Sequence, residues 1–272
     1  MKKLLFLSAL LPLFTSCDQV DINDRYIQAE EIQVGRKVLL EEFTGQRCVN
    51  CPEAHEVIKK LQEQYGDDLV VVSINAGQFG IKAPTGLMQE DGNAYADRWN
   101  ITAYPAGVVD RTSGVLNSDQ WSTYIREEAG KKTDLEVNLS AALSEDGETI
   151  DITTNLLSSQ ALKGNLQLWV VENGIVALQF DGDERITDYV HNNVFRACVN
   201  GLSGQEISLS ANVEYDYENS IAVQRDETYK LANWNTDNLY IVGFVYDSAG
   251  VIQVEKVKVS TGTSSDQPDP EE

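Results

Sequence analysis

Two cysteines with two residues between them, Cys48 and Cys51, are the side chains in this sequence whose type and spacing point most directly to chemistry. They follow an apolar run, VLLEEF, and precede a segment with helical periodicity, EAHEVIKKLQEQY. A thiol pair at the start of a helix that follows a buried strand is typical of a redox-active dithiol. Because the helix dipole and the neighbouring Arg47 favour a thiolate there, we predict that Cys48 is the nucleophile and Cys51 the resolving thiol.

The same cysteine pair also has a structural interpretation, in which a permanent disulfide caps the helix and never turns over. A zinc site is disfavoured, because the sequence has no second CxxC motif and no histidine pair at ligand spacing. Copper capture by the two thiols and His55 is a third interpretation, although a histidine off the apolar stripe of a helix more often faces solvent. We predict no cofactor.

The segment around the cysteines, residues 25–131, alternates between strand and helix patterns. Apolar residues recur at helical spacing from Ala54 to Tyr65, and Gly66 is predicted to end that helix. Continuous apolar runs before and after the helix, VLL and LVVVSI, predict strands that are covered on both faces, and hence a βαβ unit. The predicted order over the whole segment is β, β, α, β, loop, α, β, β, α.

That order, with CxxC after an early strand and a proline opening a later one, resembles thioredoxin. Arg47 stands where the thioredoxin family commonly has Trp, and Val49-Asn50 stand where it has Gly-Pro. The resemblance implies that Pro105, in AYPAGVVD, is cis and presents a backbone edge to a substrate polypeptide beside the dithiol. It also implies that Glu42, six residues before the first cysteine, is a buried acid that exchanges a proton with Cys51. The alternative is that Glu42 is an exposed strand residue.

The remainder of the chain, residues 132–260, changes from helical to strand periodicity. About eight predicted strands with turns between them favour an all-β antiparallel sandwich of the immunoglobulin-like kind. The fold class is therefore predicted as an α/β thioredoxin-like domain followed by this sandwich. Residues 179–188, QFDGDERITD, are predicted to be an acidic loop. Cys198 is expected to be a small buried residue, with disulfide reshuffling against CVNC as its alternative role.

The N-terminus carries the features of an export signal. Residues 1–16 combine a basic start with a short apolar run, too short to span a membrane. The sequence FTSC resembles the bacterial lipobox, which implies that Cys17 is lipidated and attaches the protein to a membrane; ordinary cleavage with a free Cys17 is the alternative. Residues 17–24 are predicted to be an acidic tether and residues 261–272 a disordered tail.

The charge of the chain limits its partners. The formal net charge is −22, and loss of Lys2 and Lys3 with the export signal would bring it to −24. Such acidity argues against nucleic-acid binding and against electrostatic attachment to anionic membranes. It favours a body that stays soluble outside the cytoplasm, where disulfides persist.

Three segments together resemble the Omp28-related outer membrane lipoprotein family of Bacteroidetes: LLEEFTGQRCVNCPEAH, AYPAGVVDR and YVHNNVFRACVNGLSGQ. The resemblance implies an exported protein attached to the outer membrane, on its periplasmic or its surface-exposed face. It implies a thioredoxin-like domain followed by a β-sandwich. His191 and Arg196 fall in the third segment, and the sequence assigns them no role.

Two functions are consistent with these features. The first is thiol-disulfide exchange on exported protein substrates, with the sandwich as a docking module. The second is a non-catalytic surface lipoprotein that binds an envelope protein or a ligand. The sequence separates them only through the CVNC motif, Glu42 and Pro105, which favour exchange.

Overall fold

The computed structural model describes residues 33–261, in which β-strands predominate. The α-helices in this part of the chain are α1 (Cys51–Tyr65), α2 (Glu90–Arg98) and α3 (Trp121–Glu128). The strands, in chain order, are β1 (Val34–Gly35), β2 (Val38–Thr44), β3 (Leu69–Asn75), β4 (Ala106–Val109), β5 (Lys132–Thr133), β6 (Leu135–Leu143), β7 (Thr149–Ser158), β8 (Leu162–Glu172), β9 (Ile175–Asp181), β10 (Glu184–His191), β11 (Val194–Cys198), β12 (Gln205–Leu209), β13 (Tyr215–Ala222), β14 (Leu239–Asp247) and β15 (Gly250–Lys258).

The largest sheet among the described residues has eight strands, in the order β15-β14-β8-β11-β3-β2-β4, with β12 added to β8. Strands β2 and β3 are parallel and are connected through α1, so the predicted βαβ unit is confirmed. Gly66 ends α1 with a φ of 56°, as predicted from the sequence. Strand β11 pairs with β8 antiparallel on one edge, and on the other edge Val194 pairs parallel with Ser73 of β3.

The predicted architecture, a thioredoxin-like domain followed by a separate immunoglobulin-like sandwich, is wrong. Strands from both sides of residue 131 belong to one mixed sheet, because β11 lies between β8 and β3. The physical reason lies in β8 and β14, whose long runs are buried on both faces; strands of a half-exposed sandwich alternate instead. The segment boundaries at residues 16, 24, 131 and 260 remain predictions, and the first two lie outside the described residues.

Two smaller sheets complete the part that bears on the site. Strands β13, β7 and β6 form an antiparallel sheet whose alternating apolar residues pack against β8 and β14. Strands β9 and β10 form a hairpin, in which Asp181 pairs with Glu184. The acidic loop predicted at residues 179–188 is therefore wrong: Gly182, with a φ of 52°, permits a tight turn there, and both flanks are strands.

One hydrophobic core continues across the two halves of the sequence. Four aromatic rings meet edge to face at its centre, with centroids 4.8–6.0 Å apart. They come from α2, β8, β11 and β14, and are Tyr95, Trp169, Phe195 and Phe244. Apolar side chains of β2 and β3 belong to the same cluster. Both halves of the large sheet thus contribute apolar side chains to one core.

A buried ion pair crosses the same core. The Arg111 guanidinium donates to Glu41, with Nε 2.7 Å from Oε1, and the Glu41 side chain is fully buried. The guanidinium also lies over the rings of Phe244 and Tyr246, at 4.8 and 4.4 Å from their centroids. Arg111 therefore connects β2 to the aromatic residues of β14.

Removal of the arginine alone should destabilise the protein. Arg111→Met leaves the Glu41 carboxylate buried without a counter-charge, and we expect a loss of about 3–5 kcal/mol in the free energy of unfolding, measured by urea denaturation. The double variant Glu41→Leu/Arg111→Met should recover most of this loss, because no isolated charge remains. Arg126→Met, at an exposed position of α3, is the matched control. An unchanged midpoint in Arg111→Met would contradict the role given to the pair.

Candidate functional site

Cys48 and Cys51 form a disulfide at the start of α1, with their Cα atoms 5.4 Å apart. Cys48 retains 2% of its accessible surface and Cys51 none. The loop before them packs closely on its neighbour, since a Cβ at Gly45 would lie 2.6 Å from the backbone of Phe79. The amide of Arg47 donates to the Phe79 carbonyl at 2.9 Å. The disulfide is thus held in a tight loop and is closed to solvent.

The β9–β10 hairpin covers this loop through main-chain hydrogen bonds. The amide of Phe180 donates to the carbonyl of Gln46 at 2.9 Å, and the amide of Gly182 donates to the carbonyl of Val49 at 3.1 Å. The tip of the hairpin therefore lies along the loop between β2 and α1 and covers it.

Two glutamine side chains strengthen that contact. The buried Gln179 amide donates to the carbonyls of Cys48 at 3.0 Å and Gly45 at 3.3 Å. In the other direction, the Gln46 amide donates to the carbonyl of Leu178 at 3.0 Å. Each glutamine reaches from one partner segment into the backbone of the other, so the hairpin and the cysteine loop bind each other through complementary polar groups.

The first turn of α1 can stabilise a thiolate. Asn50 occupies the N-cap but makes no side-chain cap hydrogen bond, and Pro52 lies in the first turn. The first amide groups of a helix have no partner within the helix and carry the positive end of its dipole. The Cys51 amide donates to the Cys48 carbonyl at 3.3 Å and Pro52 has no N–H, so the helix dipole is the interaction that favours a thiolate at Cys48.

Glu42 is fully buried on β2, on the side that faces α1. It accepts a hydrogen bond from the Ser73 hydroxyl, and its Oε1 lies 3.2 Å from Nε2 of His55. Burial lowers the pKa of His55, but the Glu42 carboxylate more than offsets this, and the net pKa is raised above its usual value. The Thr44 hydroxyl lies 3.1 Å from the same imidazole nitrogen.

A tyrosine and a second histidine on β10 extend this polar cluster. The Tyr189 hydroxyl is 2.8 Å from Nδ1 of His55, and burial raises the pKa of Tyr189 to about 12. The rings of Tyr189 and His191 lie 4.9 Å apart. Burial lowers the pKa of His191 to about 4, and the proximity of His55 adds to the effect. His55 and His191, the only histidines of the sequence, thus belong to one cluster.

Pro105 lies directly before β4, and the Tyr104–Pro105 peptide bond is cis. The next residue, Ala106, pairs with Phe43 of β2. The Tyr104 ring contacts Phe79 edge to face, with centroids 5.6 Å apart. The carbonyl of Phe79 accepts a hydrogen bond from the cysteine loop. The loop that contains Pro105 is therefore connected to the cysteine loop through Phe79.

Of the other two cysteines, only Cys198 lies in the part of the chain that the structure describes. Cys17 lies outside the described residues. Cys198, on β11, has no disulfide and packs against the aromatic core, with its sulfur 3.2 Å from the Tyr95 hydroxyl. Burial raises the pKa of Cys198 to about 12, so its thiol stays protonated and poorly nucleophilic at neutral pH.

Sequence reasoning did not identify the residues of the hairpin that contact the site, Gln179, Tyr189 and His191. Residue type and spacing carry no signal that His191 lies beside His55, because the two belong to elements far apart in the chain. Between residues 33 and 261, no group of three or more histidine, cysteine or acidic side chains is arranged to hold a metal ion. In the same range no helix is long and apolar enough to cross a membrane.

A profile of the outer membrane protein Omp28 family matches residues 92–263, well over half of the chain. The chain belongs to the Omp28 family. This membership makes it an outer membrane protein. No curated protein sequence matches the chain.

Among solved structures, the fold of this Omp28 family member is similar to that of HBP35 of Porphyromonas gingivalis. The two superimpose with a TM-score of 0.61 and 14% sequence identity, over 88% of this chain and 80% of HBP35. A crystal structure of an Agrobacterium tumefaciens protein covers 87% of this chain and 100% of its own, with 14% identity. Its TM-score of 0.49 is too low to support an argument. At these identities the likeness establishes the fold alone.

The depressed pKa of His191 predicts a pH-dependent stability. Its folded pKa of about 4 lies below the value near 6.5 of the unfolded chain, so acid favours the unfolded state. The penalty begins as the pH falls through 6.5 and levels off below about 4, where it reaches about 3 kcal/mol. His191→Gln should escape this penalty, so its free energy of unfolding should rise relative to wild type over that window.

The measurement is urea unfolding of both proteins at a series of pH values. The relevant quantity is the difference in the free energy of unfolding between wild type and His191→Gln at each pH. Asp110 titrates in the same range, because burial raises its pKa to about 7, and its contribution is common to both proteins. A difference that does not change with pH would contradict the assignment.

Proposed function

We propose that this outer membrane protein exchanges disulfides with exported proteins through Cys48 and Cys51. One observation carries the proposal: the disulfide lies at the N-terminus of α1, where the first-turn amide groups have no side-chain cap. Such a position stabilises the thiolate that leaves when the disulfide opens. A disulfide that served only as a staple would gain nothing from these amide groups.

The proposed exchange begins with a thiolate of the substrate, which attacks the sulfur of Cys48. The bond between Cys48 and Cys51 breaks, a mixed disulfide with the substrate forms, and Cys51 departs as a thiolate that takes up a proton. A second substrate thiolate then attacks the mixed disulfide and releases Cys48. The substrate dithiol is thereby oxidised to a disulfide as the protein pair is reduced, and the reverse sequence reduces a substrate disulfide.

Glu42 and His55 supply the proton chemistry in this proposal. Glu42 lies on β2, and His55 lies on the side of α1 that contacts β2. His55 is one helical turn beyond Cys51. The buried Glu42–His55 pair can hold a proton that is shared between carboxylate and imidazole. Pro105 would present its backbone to the substrate segment, because its loop packs on Phe79, which holds the cysteine loop.

Access to Cys48 requires the β9–β10 hairpin to move in this proposal. The cover consists of a few hydrogen bonds, each worth about 0.5–1.5 kcal/mol net. Local opening of such a segment is cheaper than global unfolding. The hairpin therefore acts as a gate that limits which thiols reach the disulfide.

Substitution of the resolving cysteine tests the exchange. In a Cys198→Ala background, Cys51→Ala should accumulate mixed disulfides through Cys48, visible on non-reducing gels and identifiable by mass spectrometry of the adducts. Cys48→Ala is the matched control and should trap far less, because the resolving thiol does not make the first attack. Exchange would be refuted if no adduct forms and the wild-type pair is never found reduced in cells.

Loosening of the gate should accelerate the reaction. Gln179→Leu removes the side-chain hydrogen bonds to the cysteine loop, and we expect reduction of the disulfide by dithiothreitol to become roughly tenfold faster. Gln253→Leu, at a buried glutamine that binds Gly35 elsewhere, controls for general destabilisation. Equal reduction rates in the two variants would argue against the gate.

A second candidate function is non-catalytic binding of an envelope protein or a ligand, with the disulfide as a permanent staple. The complete burial of the Cys51 side chain and near-complete burial of Cys48 favour it. Under this alternative the cysteine-trapping experiment yields no adducts, and replacement of both cysteines lowers stability without loss of any activity.

We also propose that the protein is anchored to the outer membrane by lipid on Cys17. The proposal is supported by the sequence FTSC after a short apolar export signal, together with membership of an outer membrane family. Lipid chains on one cysteine supply stable attachment without a transmembrane helix.

Substitution of that residue should release the protein. Cys17→Ala is expected to shift the protein from the membrane fraction to the soluble fraction and to abolish incorporation of labelled palmitate. Cys198→Ala is the control, and it should remain membrane-bound and labelled. Labelling that persists in Cys17→Ala would place the lipid elsewhere.

A further inference from the structure

A polar cavity of about 440 Å³ lies beside the candidate dithiol site, bounded by α1, the end of β3, β10 and β15. Buried residues form its inner wall, including Asn75 and His191. Exposed residues stand at its rim, including Lys59 and Val190. Its volume lies in the range of about 300–1,000 Å³ that small-ligand sites occupy. We call it the histidine cavity.

The inner wall of the histidine cavity carries polar atoms without partners. Asn75, which is 3% exposed, makes no protein hydrogen bond through Oδ1 or Nδ2. Nε2 of His191, which is 5% exposed, also has no partner. A buried polar group left unpaired costs about 1–3 kcal/mol, so three such atoms on two residues that line one cavity indicate a site for a bound polar molecule.

The neighbouring polar side chains are already engaged within the protein. The Asn193 amide reaches Gln62 at 3.4 Å, and its oxygen accepts from Lys256 at 3.2 Å. Glu42 does not line the cavity, and its carboxylate contacts Ser73 and His55. The free hydrogen-bonding capacity of the inner wall therefore belongs to Asn75 and His191.

Two lysines give the histidine cavity a local positive charge in a strongly acidic protein. Lys256 lies on β15 above the Tyr240 ring, and Lys59 lies on α1. Among the described residues that line the cavity, the acidic one is Glu56, which lies at the exposed rim. Lys256 uses one of its three donors on Asn193, which leaves two for a ligand.

We propose that the histidine cavity binds a small polyhydroxylated carboxylate, of the sugar-acid class. The carboxylate lies between the ammonium groups of Lys59 and Lys256, and the hydroxyl groups reach the inner wall. There Asn75 offers one donor and one acceptor, and the neutral imidazole of His191 accepts through Nε2. A hydroxyl group satisfies such mixed donors and acceptors without bringing a charge into the buried end.

Other ligand classes fit the histidine cavity less well. An apolar molecule would leave the amide of Asn75 and the imidazole of His191 unpaired. An ammonium group at the inner wall would lack a carboxylate, since Glu56, the acidic residue among the described lining residues, lies at the rim. A metal ion lacks ligands, because no cluster of three or more suitable side chains exists in residues 33–261.

Calorimetric titration of the full chain at neutral pH with D-glucuronate is the first test. D-glucose, which lacks the carboxylate, and acetate, which lacks the hydroxyl groups, are the matched controls. We expect binding of glucuronate, affinity at least about tenfold lower for glucose, and no heat with acetate. The proposal is overturned if neither glucuronate, galacturonate nor gluconate binds at millimolar concentration, which would mean that the cavity holds only water.

Three variants locate the binding. Asn75→Leu removes the unpaired amide, so we expect glucuronate affinity to fall about tenfold or more while the unfolding midpoint stays equal or rises. Lys256→Met should bring glucuronate affinity down to that of glucose. Lys258→Met, exposed two residues further along the same strand, should bind as wild type does. Unchanged glucuronate affinity in Asn75→Leu or in Lys256→Met would overturn the proposal.

The site is independent of the cysteines, so replacement of Cys48 and Cys51 should leave binding intact.

Discussion

Strand β11 pairs with β3 on one edge and with β8 on the other, and the rest of the structure depends on this position. It joins strands that are far apart in the sequence into one sheet, and residues from both halves of the sequence form the core on one face of that sheet. The Arg111–Glu41 ion pair and the aromatic rings around it lie in that shared core. Burial of a charged pair is tolerated here because the guanidinium is neutralised by the carboxylate and packed against ring faces.

The same strand also determines how the candidate dithiol site is closed. Strand β10 ends at His191 and β11 begins at Val194, so placement of β11 beside β3 brings the β9–β10 hairpin against the start of α1. One hairpin then has two roles: its tip covers Cys48 and Cys51, and its base forms a wall of the histidine cavity. Movement of the hairpin would change access to both.

The local part of the site was predictable from the sequence. The apolar run before the CVNC motif, the helical spacing after it and Gly66 predict the strand, the helix and its end, and the structure has each of them. The partners of that unit were not predictable, because periodicity reports how a strand is buried but not which distant strand covers it. The apolar runs of β8 and β14 indicated strands that are buried on both faces, but these runs were compatible with several sheet orders.

The sequence by itself determined the chemistry that is available: two thiols at the start of a helix and a carboxyl group on the preceding strand. These follow from residue type and short-range spacing, which local backbone geometry converts directly into structure. Only the tertiary structure decided that the disulfide is buried and that His55 and His191 lie in one cluster. The sequence could not decide these points because β-sheet pairing is a long-range interaction. The contacts between α1 and the hairpin form only when the distant strand β11 is paired with β3 and β8.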